Sequence, residues 1–496
     1  YAFDDIGNRV GTGAGGDENG LNLRWALYAA NELNQYWSNT VPAAVDVLGV
    51  SLATSAVQVN GLAAYRKGEY FRKELPVDNS GGPVWTNVTV TAAGQSAVSG
   101  HAAVAPALQG FSYDLDGNLT QDGLWVYTWD GENRLVAVES VWGVAEAGRR
   151  RVDFGYDAQG RRVEQVVSGW DGQGWGYVPQ STNRFVYDGW NLVAVLDGNN
   201  APLLSFTWGT DLSGSVQGAG GVGGLSSLTV HTGPNAGRYF YAYDGNGNVM
   251  ALVSAADGSV AARYEYGPFG ELIRATGPMA KANPFRFSTR YQDEETGLVY
   301  YGHRYYDPST GRWPNRDPLA NGGVLPMVVR PPARFRMQPW ERIEGPNLYT
   351  YALNDPINFV DINGLWTRGF GFTFSYGFGI GGSVSIGFYW GKDEQTGAKS
   401  MGLLVTPGLG AGFPPNIFVG GFYQKTNAKC VNQLKGLGYQ MGAGGGEGVG
   451  GGADLVGGSG YQGFDVQGGA TFGSPIEGHA LGTLTFGWDN DKQFGQ

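Results

Sequence analysis

The sequence predicts an all-β chain: a sheet wall built from hairpin repeats, followed by a glycine-rich β domain. Three observations carry that reading. Glycine supplies 85 of 496 residues, and each glycine in a helix interior costs about 1 kcal/mol relative to alanine. Aromatic residues make 13% of the chain and charged residues only 16%, which excludes a disordered polyelectrolyte. Tyr, Trp, Val and Thr recur in short alternating runs bounded by turn residues, the pattern of strands.

The repeats come first. An aromatic–Asp pair, a Gly or Asn turn and an apolar strand recur at Phe3-Asp4 (FDDIGNRV), Tyr113-Asp114 (YDLDGNLT), Trp129-Asp130 (WDGENRLV), Tyr156-Asp157 (YDAQGRRV), Tyr187-Asp188 (YDGWNLVAV) and Tyr243-Asp244 (YDGNGNVMAL). A degenerate copy begins at Tyr266 (YGPFGELI). The aromatic ends one strand, the Asp bonds the turn amides, and a Gly or Asn takes positive φ so that the next strand returns as a hairpin. One hairpin cannot bury its apolar face alone, so the units must join into a continuous sheet. Asp114, Asp116 and Asn118 imitate the first ligands of a calcium loop. Leu119 and Trp125 stand where such a loop needs Gly and Glu, so the turn reading holds.

Charge and composition then exclude several function classes. There are 33 basic and 44 acidic residues, a net charge of −11, and no basic cluster that would bind nucleic acid through phosphates. The single Cys430 excludes an intrachain disulfide framework, and His101, His231, His303 and His479 lie too far apart in sequence for a zinc-ligand spacing. No metal or other cofactor is expected. No run of 18 apolar residues occurs, which excludes a membrane-spanning helix but not a β-barrel. The opening YAFDDIGNRV has no basic n-region and reads as the middle of a repeat, so a fragment of a longer protein is expected.

Beyond the repeats lies a dense block, RYQDEETGLVYYGHRYYDPSTGRWPNRDPL (Arg290 to Leu319), followed by NLYTYALNDPINFVDINGL (Asn347 to Leu365). Together with the repeats it resembles the Rhs/YD-repeat family, which includes the shells of bacterial polymorphic toxins and of insecticidal toxin complexes. The resemblance covers roughly residues 1–365. It implies a β-sheet spiral over 1–283, closed by an Rhs-associated core segment over 284–365, with a variable C-terminal domain over 366–496. It also implies self-cleavage after the Leu of a DPxGL motif. Carried over one residue at a time, Arg304 assists the cleavage site, Asp317 and Asp361 are the catalytic carboxylates, and the cut falls between Leu365 and Trp366. Asp361 is followed by Ile362 where the family has Pro, and an insert from Asn321 to Gly345 separates it further from Asp317. As partners the resemblance implies the chain's own C-terminal domain and a secretion-system or immunity protein, with a secreted or cell-surface bacterial location.

The chemistry is coherent without the family. Two carboxylates held close cannot both ionise, so one keeps a proton while the other serves as base. One activates a water; the other protonates the carbonyl oxygen or the leaving amine. An arginine beside them holds one carboxylate charged or stabilises the developing oxyanion.

After residue 365 glycine becomes about twice as dense and the charge nearly balances, which marks a domain boundary. Phe370, Phe372, Phe374, Tyr376, Phe378 and Ile380 alternate with Gly, Thr and Ser, and Val384, Ile386, Phe388 and Trp390 continue the parity. Two strands or one long hairpin would set a broad aromatic face against core, lipid or another sheet. A small water-soluble barrel or sandwich fits, and the pattern also admits insertion into a membrane. The segment Gly377 to Gly382 matches G-x-G-x-x-G without the following helix, so the match is accidental. The run Met441 to Gly460 reads as a flexible linker. Glu477 and His479 are close in sequence but lack a relay partner, and no signature of a turnover enzyme appears.

The function expected from these readings is a shell that encloses or presents a C-terminal effector released by aspartyl-type autoproteolysis. The alternative is an extracellular adhesion protein that binds cell-surface glycan through its β surface and catalyses nothing.

Overall fold

The computed structural model describes residues 1–317 apart from 18, 173–175, 213, 215 and 218, then 347–354 and 356, and six tail strands between 367 and 489, the last by backbone and pairing. No α-helix occurs among them. The chain divides into two compact units, Tyr1–Tyr187 with Leu192–Thr207 and Ser226–Val360, and Asp188–Asn191 with Trp208–Leu225 and Asp361–Gln496.

The wall is one sheet of fourteen strands in sequence order, from Ser112–Tyr113 to Leu272–Thr276. A five-stranded sheet, Ala2–Phe3, Arg9–Gly15, Leu23–Ala30, Tyr36–Thr40 and Leu108–Gly110, holds the first repeats. Hairpin pairing is antiparallel and long, as between Arg150–Tyr156 and Arg162–Trp170. The strands read as short alternating runs because one face of each is buried and the other wet.

One turn closes hairpin after hairpin. Oδ1 of Asp4 accepts the amides of Ile6 at 3.1 Å and Asn8 at 2.7 Å, and Oδ2 accepts Asn8 Nδ2 at 3.0 Å. Asp130, Asp157 and Asp244 repeat this, each taking amides two and four residues on and the side chain of the fourth, Arg134, Arg161 or Asn248. At Asp114 both carboxylate oxygens are engaged by Asn118. The third residue after the Asp needs positive φ, so Gly117 (85°) and Asn133 (59°) stand there. Asp17, Asn31 and Asp197 close the same turn with no aromatic before them. The carboxylate or amide therefore makes the turn. At Tyr187-Asp188 the hairpin differs: only Gly189 and Trp190 separate strand Tyr177–Asp188 from Asn191–Asp197.

The aromatic has a separate task. Trp129 Nε1 donates to the carbonyl of Leu119 at 2.7 Å, Tyr156 Oη to Leu135 at 2.6 Å, Tyr187 Oη to Arg162 at 2.9 Å and Tyr266 Oη to Val249 at 2.7 Å. In every case the acceptor lies five residues beyond the Asp of an earlier turn. Each repeat is thus stitched to an earlier one through a polar tip on an otherwise apolar ring.

The core segment docks on the exits of these turns. Asn354 Nδ2 donates to Gly7 O at 2.8 Å, Asn347 Nδ2 to Asn8 Oδ1 at 2.8 Å, and Arg312 Nη2 to Asn34 O at 2.6 Å. Tyr349 Oη donates to Gly117 O at 2.9 Å and accepts from Gln35 Nε2 at 3.0 Å. Thr289 Oγ1 donates to Gly247 O and the Ser288 amide to Asn248 Oδ1. Ser288 and Thr289 hold φ of 49° and 50°, a backbone strain that these contacts offset. Phe287, Val299, Tyr301, Tyr306, Trp313 and Tyr351 fill the segment's own core, with Tyr301 and Tyr351 hydroxyls 2.7 Å apart.

In the tail, Thr367–Lys392 pairs with Lys399–Thr426 along its length, with one register break between Gly377 and Gly379. The other side of Lys399–Thr426 pairs twice, residues 416–426 with Tyr461–Gly473 and residues 402–413 with Ile476–Asp489. Gly448–Gly458 and Gly436–Gly445 complete a closed ring of antiparallel pairs. Three antiparallel steps separate the two partners of Lys399–Thr426, so that strand reverses direction between its parts, beside Pro414 and Pro415. Proline has no N–H to give a ladder and suits such a corner. The linker reading of Met441 to Gly460 is corrected here: most of it lies in Gly436–Gly445 and Gly448–Gly458. Neighbours on both sides satisfy the backbone, which outweighs the entropy glycine loses in a strand.

Removing one stitch should weaken the wall by a fixed, small amount. Tyr266→Phe is expected to cost about 1 kcal/mol in chemical denaturation, because Val249 O loses its donor. Asp157→Ala, which strips acceptors from two amides, is expected to cost more than Asp157→Asn.

Candidate functional site

Three short strands, Tyr291–Gln292, Val299–Tyr300 and Tyr305–Tyr306, frame the candidate site. Arg304 directly precedes the last of them, and its carbonyl accepts the Tyr301 amide at 2.9 Å. Its guanidinium lies 4.0 Å over the Trp313 ring, and Nη2 reaches Asp317 Oδ2 at 3.3 Å. Both side chains are buried, 2% and 7% exposed. The structure thus brings together Arg304 and Asp317, two of the residues singled out from the sequence, and adds Trp313 as the platform under the guanidinium. Asp361, Leu365 and Trp366 lie outside the described residues. Nε1 of the buried Trp313 and Oδ1 of the buried Asn315, both within four residues of Asp317 in sequence, have no hydrogen-bond partner among the described residues.

A second buried pair escaped sequence reasoning. Arg162, on the wall, donates Nη1 to both oxygens of Asp293 at 2.8 Å, and Gln165 Nε2 donates to the same carboxylate at 3.0 Å. The side chains are 1% and 0% exposed. Phe185, Tyr291 and Tyr300 surround the guanidinium within 4.8 Å. Burial raises the Asp293 carboxyl, against the pull of Arg162 and Gln165. The pair lies deep in packed aromatics and ties wall to core segment, so its role is structural. The signal in the sequence was slight: an Arg in the strand after one repeat and an Asp in QDEETGL, 131 residues apart.

Asp122 is a half-buried acid. It accepts the Leu124 and Trp125 amides and the Tyr127 hydroxyl. Desolvation pushes its carboxyl up to about 6, Asp307 adding to the rise. No group of three or more His, Cys, Asp or Glu placed to hold a metal occurs among the described residues.

Comparison with known proteins fits this architecture. Residues 226–357, which span the last wall hairpins and most of the core segment, match the Teneurin YD-shell family. Over these residues the chain is similar to a YD shell. The tRNA nuclease WapA of Bacillus subtilis (strain 168) is 29% identical over 265 residues, covering 52% of this chain and 9% of WapA. Double-stranded DNA deaminase toxin A of Burkholderia cenocepacia (strain H111) is 29% identical over 268 residues, covering 51% and 17%. Toxin protein Tse5 of Pseudomonas aeruginosa is 39% identical over 94 residues, covering 18% and 6%. The chain therefore spans less than a fifth of these relatives. Among solved structures, the TcdB2-TccC3 complex aligns at 16% identity and a TM-score of 0.36, over 74% of this chain and 17% of that one.

Two measurements check the electrostatics of the wall and the core segment. Asp293→Leu alone, leaving Arg162 charged and buried, is expected to cost about 3–5 kcal/mol, and Arg162→Met/Asp293→Leu together to recover a large part of it. For Asp122 the folded carboxyl titrates near 6 and the free one at 3.8. The folded state then holds the proton that the unfolded chain has lost, so this group's contribution is full below 3.8 and is lost as pH rises toward 6. Melting followed across that window should show stability falling with pH, and Asp122→Asn should flatten the slope.

Proposed function

We propose that the chain is the shell-bearing part of a polymorphic toxin, which encloses or presents the domain beyond residue 365 and releases it by cutting itself between Leu365 and Trp366. The observation that carries the reading is the buried Arg304–Asp317 pair, set within a YD shell at the positions where the resembled family places its cleavage residues. Relatives named as toxins support the carried-effector part.

The pair supports one division of roles. A guanidinium 3.3 Å from Asp317 favours the charged carboxylate, so Asp317 is the base that takes a proton from water. Asp361 keeps its proton and gives it to the Leu365 carbonyl oxygen or the leaving Trp366 nitrogen. Trp313 covers the guanidinium and excludes water from one side, which strengthens its field. The alternative of a glycan-binding adhesion protein has no comparable observation in its favour.

Denaturing electrophoresis and intact mass are expected to show fragments of 365 and 131 residues that co-elute under native conditions. Asp317→Asn and Asp361→Asn should each leave a single band. Arg304→Lys should slow the cut by at least tenfold, since an ammonium offers a point charge where the site uses a planar fork. Two fragments persisting in Asp361→Asn would eliminate the carboxylate pair.

A further inference from the structure

The strand registers of the tail assign each paired residue to one of two faces, because residues directly opposite in antiparallel strands share a face. Phe374, Val419, Ala470 and Val449 form one row across four strands, and Phe388, Leu403 and Trp488 another. All lie on the same face. The neighbouring row on the other face is Thr373, Gly420, Gly469 and Gly450. The alternation visible from Phe370 to Trp390 therefore extends around the whole ring.

Charge separates between the faces. Arg368 pairs with Lys425, and Lys392 with Lys399, on the apolar face and only at strand ends. Asp454 pairs with Asp465, and Glu477 with Gly444, on the glycine face. Asp489, opposite Gly402, shares that face. A water-soluble domain with the apolar face inside would put its four strand lysines and arginines on the core side. Its wet surface would carry a few acids among glycines, with Leu404, Phe418 and Phe422 on the same face, against the roughly 25–35% charged residues of ordinary surfaces. Turned the other way, the separation of charge fits a bilayer. Apolar rows meet acyl chains, and basic residues at strand ends reach phosphate headgroups. Four of the six strands have 10 to 14 residues, near the roughly 9–11 needed to span, while Thr367–Lys392 and Lys399–Thr426 have 26 and 28. Connections 446–447 and 474–475 share one edge, while 393–398, 427–435 and 459–460 share the other.

We infer that residues 367–489 are a membrane-inserting β-barrel whose apolar face meets the acyl chains of an anionic bilayer, with Arg368, Lys392, Lys399 and Lys425 at the headgroups and the glycine face within. This names the target of the carried domain in the reading above, but insertion itself needs no cleavage.

The test uses the full chain, diluted from urea onto dye-loaded vesicles of phosphatidylcholine with phosphatidylglycerol, and onto phosphatidylcholine alone. Dye release, with a protease-protected fragment from the tail, is expected, at least fivefold greater on the anionic vesicles. Val419→Asp, in the middle of the apolar face, should reduce release at least tenfold, whereas Val419→Ile and Thr373→Asp should retain it. Protease resistance of the first 317 residues on the same gel shows that each variant's shell has folded. Cleavage at Leu365 is scored on that gel too, so an uncut chain that still inserts overturns only the autoproteolysis. A wild-type chain that stays in the aqueous phase with its tail digested, or equal release by Val419→Asp, overturns the inference.

Discussion

A hairpin wall with one apolar face and no helix to cover it must find its partner elsewhere in the chain. Here the partner is the core segment, and the contact is made at the same place in turn after turn. Residues three or four beyond the turn Asp or Asn present a carbonyl or an Asn or Gln side chain. Asn354, Asn347, Arg312, Tyr349, Ser288 and Thr289 meet them. The turn is rigid because its carboxylate is fully engaged by local amides, so the groups it offers are fixed in direction before docking.

This arrangement divides labour within each repeat. The Asp makes the turn, the aromatic tip binds a strand that leaves an earlier turn, and the exit of the turn binds the core segment. Insertions between repeats leave all three tasks untouched, since each is defined by residues within a few positions of the Asp. The long and uneven spacing of the repeats follows from that tolerance. The buried Arg162–Asp293 pair adds specificity of a different kind. It contributes little net stability as a pair, but either partner left alone is a buried charge, so a wall docked out of register on the core segment is strongly disfavoured.

The candidate site is built from the same segment. Trp313 belongs to the segment's buried aromatic cluster and Arg304 lies over its ring, so the guanidinium is positioned by the packing of that segment. Disturbing that packing should therefore disturb the site. The coupling is physical: a ring 4.0 Å beneath the guanidinium and a carboxylate 3.3 Å beside it leave the side chain little freedom.

By itself the sequence determined the all-β class, the turns and the alternation of the tail, because each depends on residues close together in the chain. Asp157, Gly160 and Arg161 specify a turn wherever they fall, and Phe370 to Trp390 specify a two-faced strand. It also placed Arg304 and Asp317 in one short block. Tertiary structure decided what the aromatics bind, since Tyr156 and Leu135, or Tyr187 and Arg162, meet only after strands have paired. It turned a glycine-rich run into two strands, because glycine's weak preference yields to neighbours on both sides. It alone paired Arg162 with Asp293, for no local pattern tells a buried charge where its partner will arrive.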